Sequence, residues 1–507
     1  MKTRALAHVS LLCLCVGIAA GCTRLRVGHL APLEDAVVAV DDQLGIARIV
    51  RVEATTVESE DVALSEGPAT VLAHPTDPGA VFVYTLGRIG SADEEPVPSE
   101  LVAIDRTGEQ RRWAFSGQFG SAEISSDGRY VIARSAFGRL VVENRVEIVD
   151  TTLPASETNP VALSLRSLGG ETPTAAAFSA PLPWSDGGSL RLAALFAAGQ
   201  LSLFDLDHPE VAPITIPTTT DPTVVGPQPV EGVFVGSELV IRTDNSRQLL
   251  VVALGEGGGE RRFDVSVRTL AAAGAIGRMW IDERGSSTRV IASTGVALHL
   301  FDLETGIETS LATPHGYHEV VFFEGPAPGD PTVRPRLVLH GYAPSLMFVD
   351  LGDEPTDVVG SSLLPLTSSP VSVIADPARG RLVLFDSTGQ GPGYLDVAES
   401  RGRRPSSVID LFDRSAIALG TSGDIDTTAV TNENGTMWIA GRQGYVARFD
   451  LDTQERFEAW LSSDVETLLP LHGESRRVLA FHSVATGSFS ILEVTGDETP
   501  RLIGAQY

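Results

Sequence analysis

Residues 122–133 read AEISSDGRYVIA, and residues 146–150 read VEIVD. The first stretch alternates apolar with small or polar residues on both sides of Asp127 and Gly128. Asp-Gly is favoured in a two-residue hairpin turn because that turn needs positive φ. The second stretch is an apolar run closed by an Asp and followed by polar residues. Together they describe a strand, a tight turn, a second strand, a loop and a third strand ending in a carboxylate.

Outward from this point the same pair recurs along the chain. Apolar runs end in Asp at LVAID (Asp105), VEIVD (Asp150), LSLFD (Asp205), LHLFD (Asp302), LMFVD (Asp350), GYLD (Asp396) and VARFD (Asp450). Successive gaps are 45, 55, 97, 48, 46 and 54 residues, the 97 being two units with LLVVALG around Ala253 between them. A degenerate last copy, FSILE, ends at Glu493. Strand–turn–strand stretches precede the copies, turning at Gly79, Gly285, Gly380, Asn434-Gly435 and Gly473. EQRRWAFS, IETSLAT and RFEAWLS supply weaker fourth strands.

Four antiparallel strands in about 40–50 residues make one propeller blade. A sandwich does not require a constant period through the chain, and a β-helix needs a shorter one. No stretch carries a strong helical stripe; SSVIDLFDRSAIALG (406–420) comes nearest. The expected fold is therefore all-β: a single β-propeller of four-stranded antiparallel blades. Nine candidate units can be traced; eight blades are expected, and seven or nine fit the spacing. AVVAVDDQLGIARIVRV (36–52) reads as two strands that could complete the last blade and close the ring.

SSDGRYVIA and FDLETG resemble the WD40-like, YVTN-type repeats of bacterial propellers, over about residues 66–500. That resemblance implies the fold and is nearly silent on function. The Gly-His and Trp-Asp signatures of eukaryotic WD40 blades are absent.

The first residues, MKTRALAHVSLLCLCVGIAAGC, place Lys2 and Arg4 before an apolar stretch at 9–20 that is too short to span a bilayer. Ala19, Ala20 and Gly21 precede Cys22. This resembles the lipobox of bacterial lipoproteins, although the family's usual Leu three residues before the Cys is here Ala19. The resemblance implies cleavage before Cys22 and lipid attachment to it. The chain has three Cys, and two of them, Cys13 and Cys15, fall in the segment to be removed. Cys22 would be the last thiol, which leaves no disulfide framework and no Cys-based zinc site. The expected organisation is a signal peptide at 1–21, a tether at 22–35 and the propeller at 36–507. Thr23 stands where an Asp would favour inner-membrane retention, so the resemblance points to the outer membrane.

Formal net charge is −27, with 65 acidic residues against 38 Lys and Arg. That balance argues against nucleic acid or anionic headgroups as partners. Three segments exceed ordinary loop length: 153–174, 207–229 and 324–335. They suit surface excursions, either tolerated insertions or partner-binding loops.

Catalytic signals are sparse. His315, His318 and Glu319 in PHGYHE offer too few ligands for a metal site and read as a polar loop end. Asp424 and Asp426 lack the calcium-loop pattern around them, and Asn432, Asn434 and Gly435 read as a hairpin turn. The recurrent strand-end Asp is best explained by a carboxylate accepting from turn amides. GEGGGE (255–260) is a turn, not a phosphate loop, and no G-x-S-x-G elbow occurs. Arg401, Arg403 and Arg404 form a basic group read as a solvated loop, and the five Trp read as packing. No catalytic residue, metal or cofactor is assigned.

The expected function is a membrane-anchored binding or scaffold module with a protein partner or ligand in the cell envelope. The alternatives are a propeller enzyme with its site at the central channel, lactonase-like or quinoprotein, and a component of outer-membrane protein assembly.

Overall fold

The computed structural model describes residues 29–506 apart from several stretches, of which 89–94, 135–145, 220–225, 388–402, 419–426, 472–476, 483–488 and 494–500 are the longest. Strands are numbered β1–β42 in chain order. As expected, the chain is an all-β propeller of four-stranded antiparallel blades with almost no helix. Eight separate four-stranded sheets span residues 29–63, 69–114, 121–163, 175–217, 229–271, 278–312, 319–365 and 465–506. Each is a meander in which neighbours along the sheet follow in sequence, apart from a small hairpin inserted in the fourth. Residues 370–460 form an eight-stranded sheet of two four-strand groups, joined by the single pair Arg403↔Thr427.

First strands of neighbouring sheets pack on one another. β1 (His29–Leu33) contacts β5 (Ala69–Ala73) and also β39 (Val465–Leu471). β13 (Ala175–Phe178) contacts β19 (Pro229–Val235), and β35 (Thr427–Glu433) contacts β39. The first strand of each sheet is therefore innermost and the fourth lies at the rim. The β1–β39 contact closes the ring between complete sheets. Residues 36–52 do not complete the last blade: they are the middle strands of the first sheet, and the last sheet draws all four of its strands from 465–506. The first sheet also begins at His29, inside the 22–35 stretch read as a tether.

The apolar cores lie between sheets. One joins Phe196 and Leu203 of the fourth sheet to Leu239, Ile241 and Val252 of the fifth. Another joins Tyr84 and Trp113 of the second to Val131 and Val149 of the third. Middle strands are covered on both faces, so β16 (Leu192–Ala197, LAALFA) is buried throughout. Outer strands alternate, as in β26 (Glu308–Ala312). This explains why third strands read clearly in the sequence and fourth strands weakly.

The reading of three long segments as loops changes: β12 (Val161–Leu163) lies within 153–174 and β18 (Ile214–Pro217) within 207–229. Residues 324–335 are not a loop, because β27 (Glu319–Ala327) and β28 (Asp330–His340) run on as a hairpin that pairs Ala327 with Asp330. Gly329 at its tip takes φ +79°, which the tight turn requires. The stretch that came nearest to a helical stripe is strand as well. β33 (Arg403–Asp410) turns through Arg414 into β34 (Ser415–Ala418). The strand-end Asp of that unit is Asp410; Asp396, read as such from sequence, lies outside the described residues.

Candidate binding cleft between the fourth and fifth sheets

The repeated strand-end carboxylates act as turn caps. Asp105 Oδ1 accepts from the backbone N–H of Thr107 at 2.8 Å and of Glu109 at 2.9 Å. Asp302 accepts from Glu304 and Thr305, Asp410 from Phe412 and Asp413, and Asp450 from Thr453. Asp150 accepts from Thr152 and takes an ion pair from Arg129 at 2.8 Å. Burial pushes the Asp150 carboxyl up, but the Arg129 and Thr152 hydrogen bonds outweigh it and hold the pKa below the ordinary value. Arg336–Asp350, Arg381–Asp410 and Arg477–Glu493 repeat the pairing of an Arg on a second strand with the end of the third. The sequence expectation of a structural role therefore holds at these sites.

Between the third, fourth and fifth sheets the charges cross-link. Asp207 lies 3.1 Å from Arg129, 3.6 Å from Arg191 and 3.9 Å from Arg262. Tyr130 Oη donates to Asp207 Oδ1 at 2.8 Å, and burial together with that bond raises the Tyr130 pKa well above normal. Arg191 also meets Asp127 at 2.8 Å. Charges this close in a half-buried setting fix sheet against sheet more tightly than exposed pairs would.

Beside this clasp lies an open cleft of about 1000 Å³. Its walls are the segment joining β17 (Gln200–Asp205) to β18 (Ile214–Pro217) and the turn joining β21 (Gln248–Glu256) to β22 (Phe263–Ala271). Leu203, Ile214 and Phe263 give it an apolar wall. Asp205 and Arg262, 3.4 Å apart, form its polar base. Burial raises the Asp205 pKa despite the Arg262 charge. Arg262 is held by Ser189 O at 2.8 Å, and its own carbonyl accepts from Trp184 Nε1 at 2.9 Å. His208, Glu210 and Arg261 are exposed on the rim, with His208 Nδ1 3.3 Å from Glu210 Oε1. At the turn, a Cβ on Gly257 would sit 2.3 Å from Arg261 O, so the backbone passes where no side chain fits. The cleft thus presents an apolar wall, a fixed Asp–Arg base and a rim of both charges, which suits recognition of a partner with polar and apolar groups together.

One wall falls on the long segment 207–229, and the other takes Gly258 from the glycine turn 255–260 and Arg261, Arg262 and Phe263 from just after it. Their juxtaposition was not readable, because it depends on two sheets lying side by side. The other candidates scatter. His315 and His318 are exposed; the His318 amide donates to His340 O at 3.0 Å, and Glu319 pairs with His340 Nε2 at 3.1 Å. Among the described residues no three His, Cys, Asp or Glu come together to hold a metal ion. Cys22, Arg401, Asp424, Asp426, Asn434 and Gly435 lie outside the described residues. Arg403 and Arg404 lie in strand β33 rather than in a loop, and Asn432 is in β35. Trp113 and Trp438 are buried, whereas Trp460, read as packing, is 63 % exposed and meets Tyr445 edge-on at 5.6 Å.

No family model matches the chain, and no curated protein matches it. Among solved structures it is similar to the dihydro-heme d1 dehydrogenase NirN in complex with DHE, at 12% identity, a TM-score of 0.41 and 71% coverage of each chain. It is also similar to Sqt1 of Saccharomyces cerevisiae, at 11% identity and a TM-score of 0.39, covering 74% of this chain and 95% of that one. The computationally designed Ika8 protein is matched over 93% of this chain and 97% of its own, at 9% identity and a TM-score of 0.35.

Proposed function

We propose that this protein is a bacterial lipoprotein, acylated at Cys22, whose propeller is a non-catalytic binding module held at the cell envelope. The observation that carries the binding reading is the division of labour among charged groups. Strand-end carboxylates are occupied by turn amides and arginines, whereas His208, Glu210 and Arg261 stand exposed around a cleft with an apolar wall. The anchoring reading rests on Cys22 being the last thiol after a short basic and apolar leader. Acylation gives an otherwise unpaired thiol in an exported protein a use, and more than one acyl chain would hold the module stably.

Two measurements test the two halves separately. Cys22→Ala is expected to lose incorporation of labelled fatty acid and to move the protein from the membrane to the soluble fraction. Labelling that persists in the variant refutes the anchor. A photo-crosslinker at Ala212, on the cleft wall, is expected to capture one discrete species in native membranes, and the same group at Ser310 on β26 is not. Identical patterns at both positions refute the cleft as the binding face.

A further inference from the structure

Alternating strand direction sorts the connections of this fold onto two faces. In the first sheet β1, β2 (Ala36–Asp41), β3 (Ile46–Glu53) and β4 (Thr56–Ala63) pair antiparallel in order. The face where β1 begins therefore carries the turn from second to third strand and the exit from the fourth. The opposite face carries the other two turns. Hydrogen bonds tie the first group together: Leu64 N donates to Gly45 O at 2.7 Å, Thr313 N to Val296 O at 2.9 Å and Leu366 N to Pro344 O at 2.8 Å. The cleft lies between segments that join third to fourth strands, so it opens on the opposite face.

The two faces differ in charge. Where first strands begin, five successive connections read AAGAIG (272–277), TGV (294–296), TPHGYH (313–318), GYAP (341–344) and LTSS (366–369), with no Asp, Glu, Lys or Arg. They touch one another in turn. A Cβ on Gly274 would lie 3.3 Å from Thr294 Cβ, one on Gly316 3.6 Å from Gly295 Cα, and one on Gly341 2.9 Å from Gly316 O. The result is a continuous arc from the fifth to the seventh sheet, bordered by one charge of each sign at Arg278 and Glu319, where first strands start. On the opposite face the turns of the same sheets include GGGERR (257–262), ERGSST (283–288), LETGI (303–307) and GDEPTD (352–357), all charged.

Cys22 stands seven residues before His29, the first residue of β1. Seven residues of chain reach at most about 25 Å. β1 is an innermost strand, so that reach is measured from the channel mouth on the face where first strands begin. Bringing the cleft face to the bilayer would cost the same seven residues the height of a sheet, about 20 Å for a six-residue strand. Only about 5 Å would remain to place Cys22 in lipid.

We propose that the face where first strands begin is turned to the membrane, its uncharged arc resting on phospholipid headgroups and the cleft opening away from them. The proposal rests on acylation at Cys22. The acyl chains supply the affinity, and the arc decides which way the disc faces. Uncharged loops give up no charge hydration at the headgroups. On a chain of net charge −27 they are also where approach to an anionic surface meets least repulsion. Acids on the same face over the first and second sheets, Glu66 and Glu95 among them, are exposed and confine the lipid contact to the arc.

Val296 and Ile307 lie at opposite ends of β25 (Ala297–Asp302) and are 73 % and 60 % exposed. With Cys22 acylated, Val296→Cys or Ile307→Cys leaves one free thiol to carry a fluorophore. The full acylated chain is added to phosphatidylethanolamine–phosphatidylglycerol vesicles whose headgroups carry a nitroxide quencher. The label at 296 is expected to be quenched several-fold more than the label at 307. A second pair, Pro344→Cys and Asp353→Cys at either end of β29 (Ser345–Leu351), is expected to repeat the difference. Equal quenching, stronger quenching at 307, or a difference that the second pair does not repeat overturns the orientation. In protein that carries labelled fatty acid and floats with the vesicles, each of these leaves the anchor standing. Protein without fatty acid on Cys22 that fails to float removes the anchor and the orientation together.

Discussion

Asp150 condenses what the recurrent carboxylate does. One oxygen closes the turn through Thr152 and the other holds Arg129, which also reaches Asp207 on the next sheet. Asp150→Ala leaves two turn groups and a half-buried guanidinium short of a partner. The expected loss is about 1–3 kcal/mol of stability, read as a lower denaturant midpoint. His340 tests electrostatics from the other side. It is buried at the end of β28, and burial lowers its pKa against the opposing pull of Glu319, with the exposed His318 adding to the lowering. The unfolded chain takes up a proton near the ordinary histidine value of about 6.5, before the folded one does. The stability His340 contributes is therefore complete above that pH and is lost as pH falls through it. Between about pH 7.5 and pH 5.5 the wild-type melting temperature should drop more than that of His340→Gln. Equal drops would mean that His340 is not held neutral by the fold.

Elements were legible where burial on both faces writes an apolar run and a turn writes Asp-Gly. The second and third strands of most sheets meet the first condition, and AEISSDGRYVIA, which has the Asp-Gly turn as well, appears as β9 (Ser121–Ile124), a turn at Gly128 and β10 (Tyr130–Arg134). The first sheet was half legible. β1 reads HLAPL, and a Pro in five residues looks like a linker. Pro32 is tolerated because an innermost strand has a ladder partner on one side only, here Val37. The acid-rich β4 was missed because a solvated rim strand needs no apolar alternation. Hairpin residues 324–335 carry no strand pattern for the same reason: they extend past the core, where little selects apolar side chains. The cleft was illegible because Asp205 and Arg262 belong to different sheets. Glycine positions carry a sharper constraint than strands do. Gly87 takes φ +73°, and a Cβ there would lie 2.2 Å from Val97 O. Backbone cannot swing aside as a side chain can, so Gly87→Ala is expected to destabilise by about 1–3 kcal/mol. Thermal unfolding beside Gly187→Ala, where φ is +81° but the space is open, separates the clash from the backbone conformation alone.

At the scale of the whole molecule, each sheet is drawn from one continuous stretch of chain, and β1 meets β39 only by packing. Among the described residues no strand from one terminus is shared with the sheet at the other. The ring is then held by the apolar cores between sheets and by clasps such as the one around Asp207. This makes the position of the chain ends unimportant between sheets and decisive within them. A permutant joining residue 506 to residue 29 through a flexible linker and opened at 220–225, between β18 and β19, interrupts no ladder. Its melting temperature is expected within a few degrees of the parent's. One opened between β20 (Glu238–Thr243) and β21 leaves Arg242↔Leu249 and the pairs beyond it to form between chain ends. Loop-closure entropy then opposes that sheet, and Leu239 and Val251, in cores on either side, lose their covalent alignment. The second permutant should melt well below the first, with near-UV circular dichroism as the readout. Equal stability of the two would show that packing between sheets alone sets the register. Failure of the first to fold would show that the closing contact depends on free ends.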